Sequence, residues 1–89
     1  MIVKIDRVFE KDTDKIKDRR ILVRIAGIIE KVSKSDDISK IQSIKKLKGS
    51  NKFYRIRLGN FRIGIIVDGD IVEFIRCLHR KDIYKYFPK

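Results

Sequence analysis

The sequence predicts an α+β fold, in which an N-terminal strand and a helical hairpin pack on one face of a small antiparallel sheet that ends in a three-stranded meander. Two features of the hydrophobic pattern support this. Apolar residues recur every three or four positions between residues 19 and 34, and they alternate with polar residues from residue 53 onwards. With 89 residues, the chain is expected to form a single domain over residues 1–89.

The N-terminal half begins with IVKIDRVF, whose loosely alternating apolar residues predict a first strand. EKDTDKIK then predicts a short charged helix or turn. Asp18 is a suitable N-cap for the main helix, which runs from about Arg19 to Lys34. Gly27 lies inside this helix, where glycine costs about 1 kcal/mol relative to alanine, and it therefore suggests close packing. ISKIQSIKKLKG predicts a weaker helical turn that ends at Gly49.

The second half predicts three strands joined by two tight turns. FYRIRL and FRIGIIV flank a Gly-Asn turn at 59–60, and IVEFIRCL follows an Asp-Gly-Asp turn at 68–70. Alternation in FYRIRL places Tyr54, Ile56 and Leu58 on one face. Arg55 and Arg57 therefore point to the other face, away from the helix that covers the apolar residues.

The positive charge of the chain is concentrated in one block. Lys and Arg number 23 against 12 Asp and Glu, which gives a formal net charge of +11. Residues 38–67 contain no acidic side chain and carry most of that excess, on Lys40, Lys45, Lys46, Lys48, Lys52, Arg55, Arg57 and Arg62. Such a block is either a solvated surface of long side chains or a surface that binds a polyanion.

The expected positions of the arginines favour a surface that binds a polyanion. Arg62 can join Arg55 and Arg57 across the hairpin, so that three guanidinium groups share one uncovered face, and mutually repelling charges across a hairpin are destabilising. Phosphate is the expected ligand, because the planar guanidinium group binds it in a bidentate manner. Further basic residues, Lys46, Lys48 and Lys52, are expected at the rim of this face.

Several other classes are disfavoured by the composition. The single Cys77 excludes an internal disulfide and suits a reducing compartment. The sequence has no long uncharged apolar run, so we expect neither a signal peptide nor a membrane partner, and we expect a cytoplasmic location. One His and one Cys do not make a zinc site, and there is no glycine-rich phosphate loop. We therefore expect no metal and no cofactor.

An ordered set of motifs resembles a known family. KKLKG, YRIRLGNFRIG, a DG turn and LHRKDIYKYF follow one another as in the RelE side of the RelE/ParE toxin superfamily of type II toxin–antitoxin systems. The resemblance implies a RelE-like fold and a toxin that cuts mRNA in the A site of the ribosome. It also implies an antitoxin partner, encoded beside the toxin, which we expect to be acidic.

The resemblance also implies site residues. Arg55 and Arg57 match the basic pair on the first meander strand, where some relatives have lysines. Arg62 matches the arginine of the following strand. The C-terminal arginine, tyrosine and histidine of the family correspond to Arg80, Tyr84 and His79. Together with Lys46, Lys48 and Lys52, the pair Arg55 and Arg57 is expected to bind RNA phosphates.

The chemistry of RNA cleavage restricts the roles of these residues. Arginine stays protonated at ordinary pH and cannot act as a general base. His79 has an unperturbed pKa of about 6.5, which makes it the leading acid–base candidate. Tyr84 is either its partner or a surface on which a base stacks. Asp82 and Glu73 are alternative bases. Attack by a 2′-hydroxyl would leave a 2′,3′-cyclic phosphate and a 5′-hydroxyl.

Two other functions fit the same fold. The ParE branch of the superfamily inhibits DNA gyrase without nuclease activity, and fold alone does not separate the branches. A non-catalytic RNA- or DNA-binding module would explain the arginines as phosphate contacts, but it would leave His79 and Tyr84 without a role.

Overall fold

The computed structural model describes residues 1–88, which form five strands and three α-helices. A short 3₁₀ turn at Ile38–Lys40 precedes the second strand. In chain order the elements are β1 (Ile2–Ile5), α1 (Arg7–Asp14), α2 (Arg19–Lys34), β2 (Ile44–Lys46), β3 (Phe53–Leu58), β4 (Phe61–Asp68), β5 (Ile71–His79) and α3 (Ile83–Tyr86).

The five strands form one sheet in the order β1-β5-β4-β3-β2. This confirms the predicted α+β class, with α1 and α2 on one side of the sheet. Strands β2 to β5 pair antiparallel, but β1 lies parallel to β5, with Ile2 opposite Ile71 and Ile5 opposite Phe74. The expectation of a purely antiparallel sheet is therefore wrong at this edge. A parallel pair needs a crossover connection between its strands, and the intervening elements provide it.

Both helix starts follow from aspartate N-caps. The carboxylate of Asp18 accepts the backbone N–H of Arg20 at 2.9 Å, and α2 has the predicted bounds. The carboxylate of Asp6 accepts the N–H of Val8 at 3.0 Å. Because Asp6 starts α1, the first strand ends at Ile5, earlier than IVKIDRVF suggests.

The segment after α2 is partly extended rather than helical. The 3₁₀ turn is capped by Asp37, and the chain then forms the edge strand β2. Ile44 lies opposite Ile56, and Lys45 lies opposite Arg55. The predicted helical turn is therefore wrong from Ile44 to Lys46, because the free edge of β3 offers hydrogen bonds that a local helical turn cannot match.

The main core lies between the helices and the sheet. Phe9 of α1 packs edge-on against Phe74 of β5, with their ring centroids 5.5 Å apart. Gly27 of α2 is exposed, and no atom would lie within 4 Å of an added methyl group, so the expected close packing there is wrong. The buried residues of this core are Phe9, Ile25, Val32, Ile38, Ile41, Ile56, Leu58, Ile63, Ile65, Val72, Phe74 and Cys77.

The opposite face of the sheet is partly covered by the C-terminal segment, residues 83–87. Ile83 and Phe87 are almost completely buried, although neither belongs to the main core. Phe87 lies over Gly64 of β4 and contacts the ring of Phe53 edge-on, with 5.7 Å between centroids. The missing side chain at Gly64 therefore makes the space in which the C-terminal segment docks.

Substituting Gly64 tests this docking. A methyl group at Gly64 would lie 2.6 Å from the Phe87 ring, so Gly64→Ala is expected to lower the free energy of unfolding by about 1–3 kcal/mol through overpacking. Gly27→Ala is the matched control, and it is expected to be stabilising by up to about 1 kcal/mol because its helical site is open. Urea unfolding of both variants measures the difference. Equal effects of the two substitutions would contradict the docking.

Candidate functional site

The strand register places three arginines on one face of the sheet. Arg57 of β3 lies directly opposite Arg62 of β4, and Arg55 lies opposite Gly64. Their neighbours Ile56 and Leu58 are buried on the other face, beneath the helices. The predicted placement is therefore confirmed. We call the surface formed by Arg55, Arg57 and Arg62 the arginine face.

Arg62 is the most constrained member of the arginine face. Its Nη1 group donates to the carbonyl oxygens of Gly59 and Phe61, both at 2.8 Å. Burial lowers the pKa of Arg62 below its usual value, and the positive charges of Arg55 and Arg57 lower it further. The guanidinium group nevertheless stays protonated at any physiological pH. It is thus a fixed cation whose surroundings would be improved by an anion.

Arg55 shows the same lack of compensation. Its Nε–H is buried and has no acceptor among residues 1–88, and its Nη1 lies 3.5 Å from the carbonyl oxygen of Ser43. A buried donor without a partner costs about 1–3 kcal/mol. An arginine with only a structural role would be expected to avoid this cost, whereas binding sites often retain it.

Arg80 and Tyr84 complete the cluster from the C-terminal side. The backbone N–H of Arg80 donates to the carbonyl oxygen of Asn60 at 2.7 Å, which fixes the residue beside the β3–β4 turn. The charge of Arg80 also lowers the pKa of Arg62, whereas Tyr84 acts in the opposite direction. The hydrogen bond of Arg80 to Asn60, and the cleft that Tyr84 shares with Lys45, the residue opposite Arg55, place both residues beside the arginine face.

Tyr84 lies on α3 and also borders a cleft of about 300 Å³. Its side chain is 61% exposed. Two of the predicted rim lysines, Lys46 and Lys48, line the same cleft, together with Lys45, Leu47 and Pro88. The sequence pattern gave no role to Lys45, because β2 was not predicted, but it lies directly opposite Arg55.

Lys52 does not join this group. It precedes β3 and lies at the opposite end of the strand from Arg57. Its Nζ lies 3.6 Å from a carboxylate oxygen of Asp68. Three residues along a strand span roughly 10 Å and five roughly 17 Å, so Lys52 lies at the end of the arginine face nearest Arg55 and farthest from Arg57.

His79 lies at the end of β5, as expected, but its side chain is on the helix-facing side. It is paired with Phe61, and the two rings meet edge-on with 6.1 Å between centroids. Phe61 packs against the main core, whereas Leu78 lies opposite Arg62 on the arginine face. The Nδ1 atom of His79 accepts the backbone N–H of Lys81 at 3.2 Å. The structure therefore places the His79 ring on the other side of the sheet from the arginine face.

Within residues 1–88, no hydrogen bond or ion pair joins either alternative base to the arginine face. Glu73 lies opposite Ile66, near the far end of β4 and β5. Asp82 lies 3.5 Å from the Nζ of Lys85, in the turn before α3.

One interaction that the sequence pattern did not indicate links α1 to β5 and to the C-terminal segment. Asp12 of α1 is buried, and its carboxylate accepts the Nε and Nη2 groups of Arg76 at 2.8 and 3.1 Å and the N–H of Cys77 at 2.9 Å. The hydrogen bond to Asp12 raises the pKa of Arg76. The guanidinium carbon of Arg76 lies 5.3 Å from the centroid of the Tyr86 ring, so this contact reaches the C-terminal segment.

A cleft of about 430 Å³ lies along the same edge of β5. Asp12, Arg76, His79 and Tyr86 are among its lining residues. Burial and the charge of Asp12 raise the pKa of the Cys77 thiol to about 12, so the thiol stays protonated near neutrality. We place the candidate site on the arginine face rather than in this larger cleft, because the uncompensated charges are on the arginine face.

The comparisons with known proteins agree with this fold. Residues 3–84 match the family described as the ParE toxin of the type II toxin–antitoxin system parDE. Toxin RelE3 of Methanocaldococcus jannaschii is 47% identical over 83 residues, which are 92% of this chain and 93% of that protein. The chain therefore belongs to the RelE/ParE superfamily of type II toxins, and it lies on the RelE side.

Two solved structures show the same likeness in three dimensions. One is the RelB–RelE antitoxin–toxin complex of Methanococcus jannaschii, with 45% identity, a TM-score of 0.82, and coverage of 96% of this chain and 99% of that one. The other is the RelE–RelB complex of Pyrococcus horikoshii OT3, with 19% identity, a TM-score of 0.74, and coverage of 92% and 97%. The second likeness supports the fold alone.

No helix within residues 1–88 is long and apolar enough to span a membrane.

Removing the Asp12 carboxylate tests how much the link between α1 and β5 contributes. Asp12→Ala leaves Arg76 and the Cys77 N–H without their acceptor, and it is expected to lower the free energy of unfolding by about 3 kcal/mol. Asp14→Ala, an exposed position in the same helix, is expected to change it by less than about 0.5 kcal/mol. Denaturant titration compares the two variants. Similar small losses in both would show that the buried ion pair contributes little.

Proposed function

We propose that this toxin is a metal-independent endoribonuclease that cleaves mRNA in the A site of the ribosome and thereby inhibits translation. The observation that supports this most strongly is the placement of Arg55, Arg57 and Arg62 on one face of the sheet, with the backbone of Arg80 held beside the β3–β4 turn. A cluster of guanidinium groups with the exposed Tyr84 at the neighbouring lysine-lined cleft fits a phosphodiester and a nucleobase better than it fits a neutral ligand.

The arginines would act on the phosphate. Arg62 is held through Nη1 by two backbone carbonyls, so its remaining N–H groups are oriented before a ligand arrives. Arg55 and Arg57 flank it on β3, and Arg80 approaches from the turn after β5. Together they would bind the scissile phosphate and stabilise the extra negative charge of the phosphorane transition state.

The reaction would be an internal transfer. The 2′-oxygen loses its proton and forms a bond to the adjacent phosphorus, and the bond from phosphorus to the 5′-oxygen breaks. The 5′-oxygen takes up a proton, so the products are a 2′,3′-cyclic phosphate and a 5′-hydroxyl. Among the expected proton carriers, Tyr84 lies near the arginine face and His79 does not. We therefore assign proton transfer first to the Tyr84 hydroxyl, and the catalytic role of His79 stays a prediction.

His79 has a second role available to it. Its Nδ1 accepts the N–H of Lys81, and the turn that this bond stabilises carries Arg80. The residue would then be a positioning residue, which acts on the phosphate through Arg80.

The proposed partners follow from the family and from the charge. The structures of the two relatives described above are complexes of RelE with RelB. We propose a cognate antitoxin, encoded adjacently, with an acidic segment that covers the arginine face. The other partners are the ribosome and mRNA, which place the action in the cytoplasm.

The second candidate is inhibition of DNA gyrase, because the matching family is described by its ParE toxin. A non-catalytic RNA-binding module is the third.

A reconstituted translation reaction separates all three functions. The ends of the message are mapped with and without ribosomes and with and without a chelator, and a gyrase supercoiling assay is run in parallel. We expect ribosome-dependent cuts with 5′-hydroxyl ends that resist the chelator. An intact message with inhibited gyrase would contradict the nuclease.

Arg62 is the residue whose loss is expected to be most damaging. Arg62→Ala should reduce the cleavage rate by about 10²–10³-fold, the usual effect of removing one preorganised donor to a developing negative charge. Lys52→Ala removes one positive charge at the distant end of β3 and is expected to change the rate little. Single-turnover cleavage on programmed ribosomes measures both. Equal losses in both variants would mean that only total charge matters.

A pair of substitutions separates the two roles of His79. The Oδ1 of asparagine can replace Nδ1 as the acceptor for the Lys81 N–H, but asparagine does not titrate near neutrality. If His79 only positions the turn, His79→Asn keeps the cleavage rate while His79→Ala lowers it. If His79 transfers protons, both substitutions abolish cleavage, and the pH–rate profile of the wild type shows a pKa that both variants lack.

A further inference from the structure

Beyond the arginine face, a second basic cleft lies on the helix-facing side of the β3–β4 hairpin. Its volume is about 260 Å³, and α2, the segment before β2, and the end of β3 form its walls. Its rim carries the exposed basic residues Arg24 and Lys31 of α2 and borders Arg57, which the cleft shares with the arginine face, and its lining includes no acidic residue. The basic block of the sequence, residues 38–67, begins after α2, so Arg24 and Lys31 were not assigned to any site.

The charges of this cleft are not compensated within the protein. No ion pair involves Arg24, Lys31 or Arg57 in the part of the chain that the structure describes. On the same helix, by contrast, the Nζ of Lys34 lies 2.8 Å from the carboxylate of Glu30. Three unpaired cations around one depression form a site for an anion with more than one charge.

The hairpin tip joins this cleft to the arginine face. A methyl group on Gly59 would lie 3.7 Å from Nη1 of Arg24, so Arg24 reaches the tip from the helix side. From the other side, Arg62 donates to the carbonyl oxygen of Gly59, and the N–H of Arg80 donates to Asn60. Guanidinium groups therefore surround the turn at 59–60 on both faces of the sheet.

The floor of the cleft is apolar. Leu58 and Ile41 are buried beneath it, and Ile28 is half-buried at its side. Ser43 and Gln42 add polar atoms at the rim. A basic rim over an apolar floor matches a nucleotide, whose phosphate is charged and whose sugar and base have apolar surfaces.

We propose that this cleft, lined by Arg24, Lys31 and Arg57, is a second phosphate-binding site for an RNA strand that continues over the hairpin from the arginine face. The proposal rests on the proposed function in one respect, namely that the bound polyanion is RNA. The phosphodiester chemistry is shared by two sources, the mRNA beside the cleaved bond and the ribosomal RNA around it.

The salt dependence of binding tests the site independently of cleavage. The probe is a short 2′-O-methylated oligoribonucleotide, which cannot be cleaved because it lacks the attacking hydroxyl group. For single strands, each phosphate contact contributes about 0.7 to the slope of log K against log salt concentration. The double variant Arg24→Gln, Lys31→Gln should therefore reduce that slope by about 1.4. Arg24→Lys should keep the wild-type slope.

A control variant with the same loss of charge is Lys4→Gln, Lys11→Gln, whose positions are exposed on β1 and α1. It should leave the slope unchanged. Repeating the titration with vacant ribosomes distinguishes the two sources of RNA. If the Arg24, Lys31 variant has a reduced slope with the oligoribonucleotide, the site binds the mRNA strand. If its slope is reduced only with ribosomes, the site binds ribosomal RNA. Either result supports the site.

Unchanged slopes with both probes would overturn the proposal. It would also be overturned if the Arg24, Lys31 variant bound RNA normally but bound poly-L-glutamate more weakly, because the cleft would then recognise an acidic protein. A wild-type protein that shows the expected slopes but does not cut mRNA on programmed ribosomes would remove the nuclease and leave the second site standing.

Discussion

The structure depends on a single buried carboxylate at the free edge of β5. Strand β1 pairs with β5 only as far as Phe74, so the next backbone N–H groups need another acceptor. Asp12 accepts from Cys77 and, in a bidentate manner, from Arg76, which also contacts the Tyr86 ring. One side chain thus fixes α1 against the sheet and reaches the segment that carries Tyr84. Removing a buried acceptor is costly, so both the packing of α1 on the sheet and the position of the C-terminal segment depend on the Asp12 carboxylate.

The two faces of the sheet have different roles, and Gly64 lies where the C-terminal segment docks on the face opposite the main core. The helix-facing side is filled by the main core, whereas the other side is covered only where Phe87 fits over Gly64. Beyond Phe87, the rest of that face keeps Arg55, Arg57 and Arg62 close together with little compensation. The protein therefore tolerates repulsion at its site, and its stability depends on docking elsewhere.

Much of the fold could be predicted because its signals are local. The helix Arg19–Lys34 and its cap, and the strand Phe53–Leu58, follow directly from periodicity and turn residues. Strand β2 could not be predicted, since three residues at an edge form a strand only because β3 offers them partners. The contact of Asp12 with Arg76 joins residues 64 positions apart, and no local pattern marks it.

The site was predictable to the same degree. Alternation along β3 placed Arg55 and Arg57 on one face, and the hairpin register added Arg62. The side on which His79 lies depends on its pairing with Phe61, and the unpaired charges of Arg24 and Lys31 appear only once α2 packs beside the hairpin. Sequence therefore identified residues that share a strand face, and it missed those that tertiary packing brings together.

We propose that RNA binds across the arginine face and not in the larger cleft on the edge of β5. Nuclear magnetic resonance can test it directly, by following the backbone amides of the 89-residue chain during titration with a 2′-O-methylated oligoribonucleotide. We predict the largest shift changes at Arg55, Arg57, Arg62 and Arg80. Changes concentrated instead around Asp12 and His79, with the β3–β4 hairpin unaffected, would contradict this account.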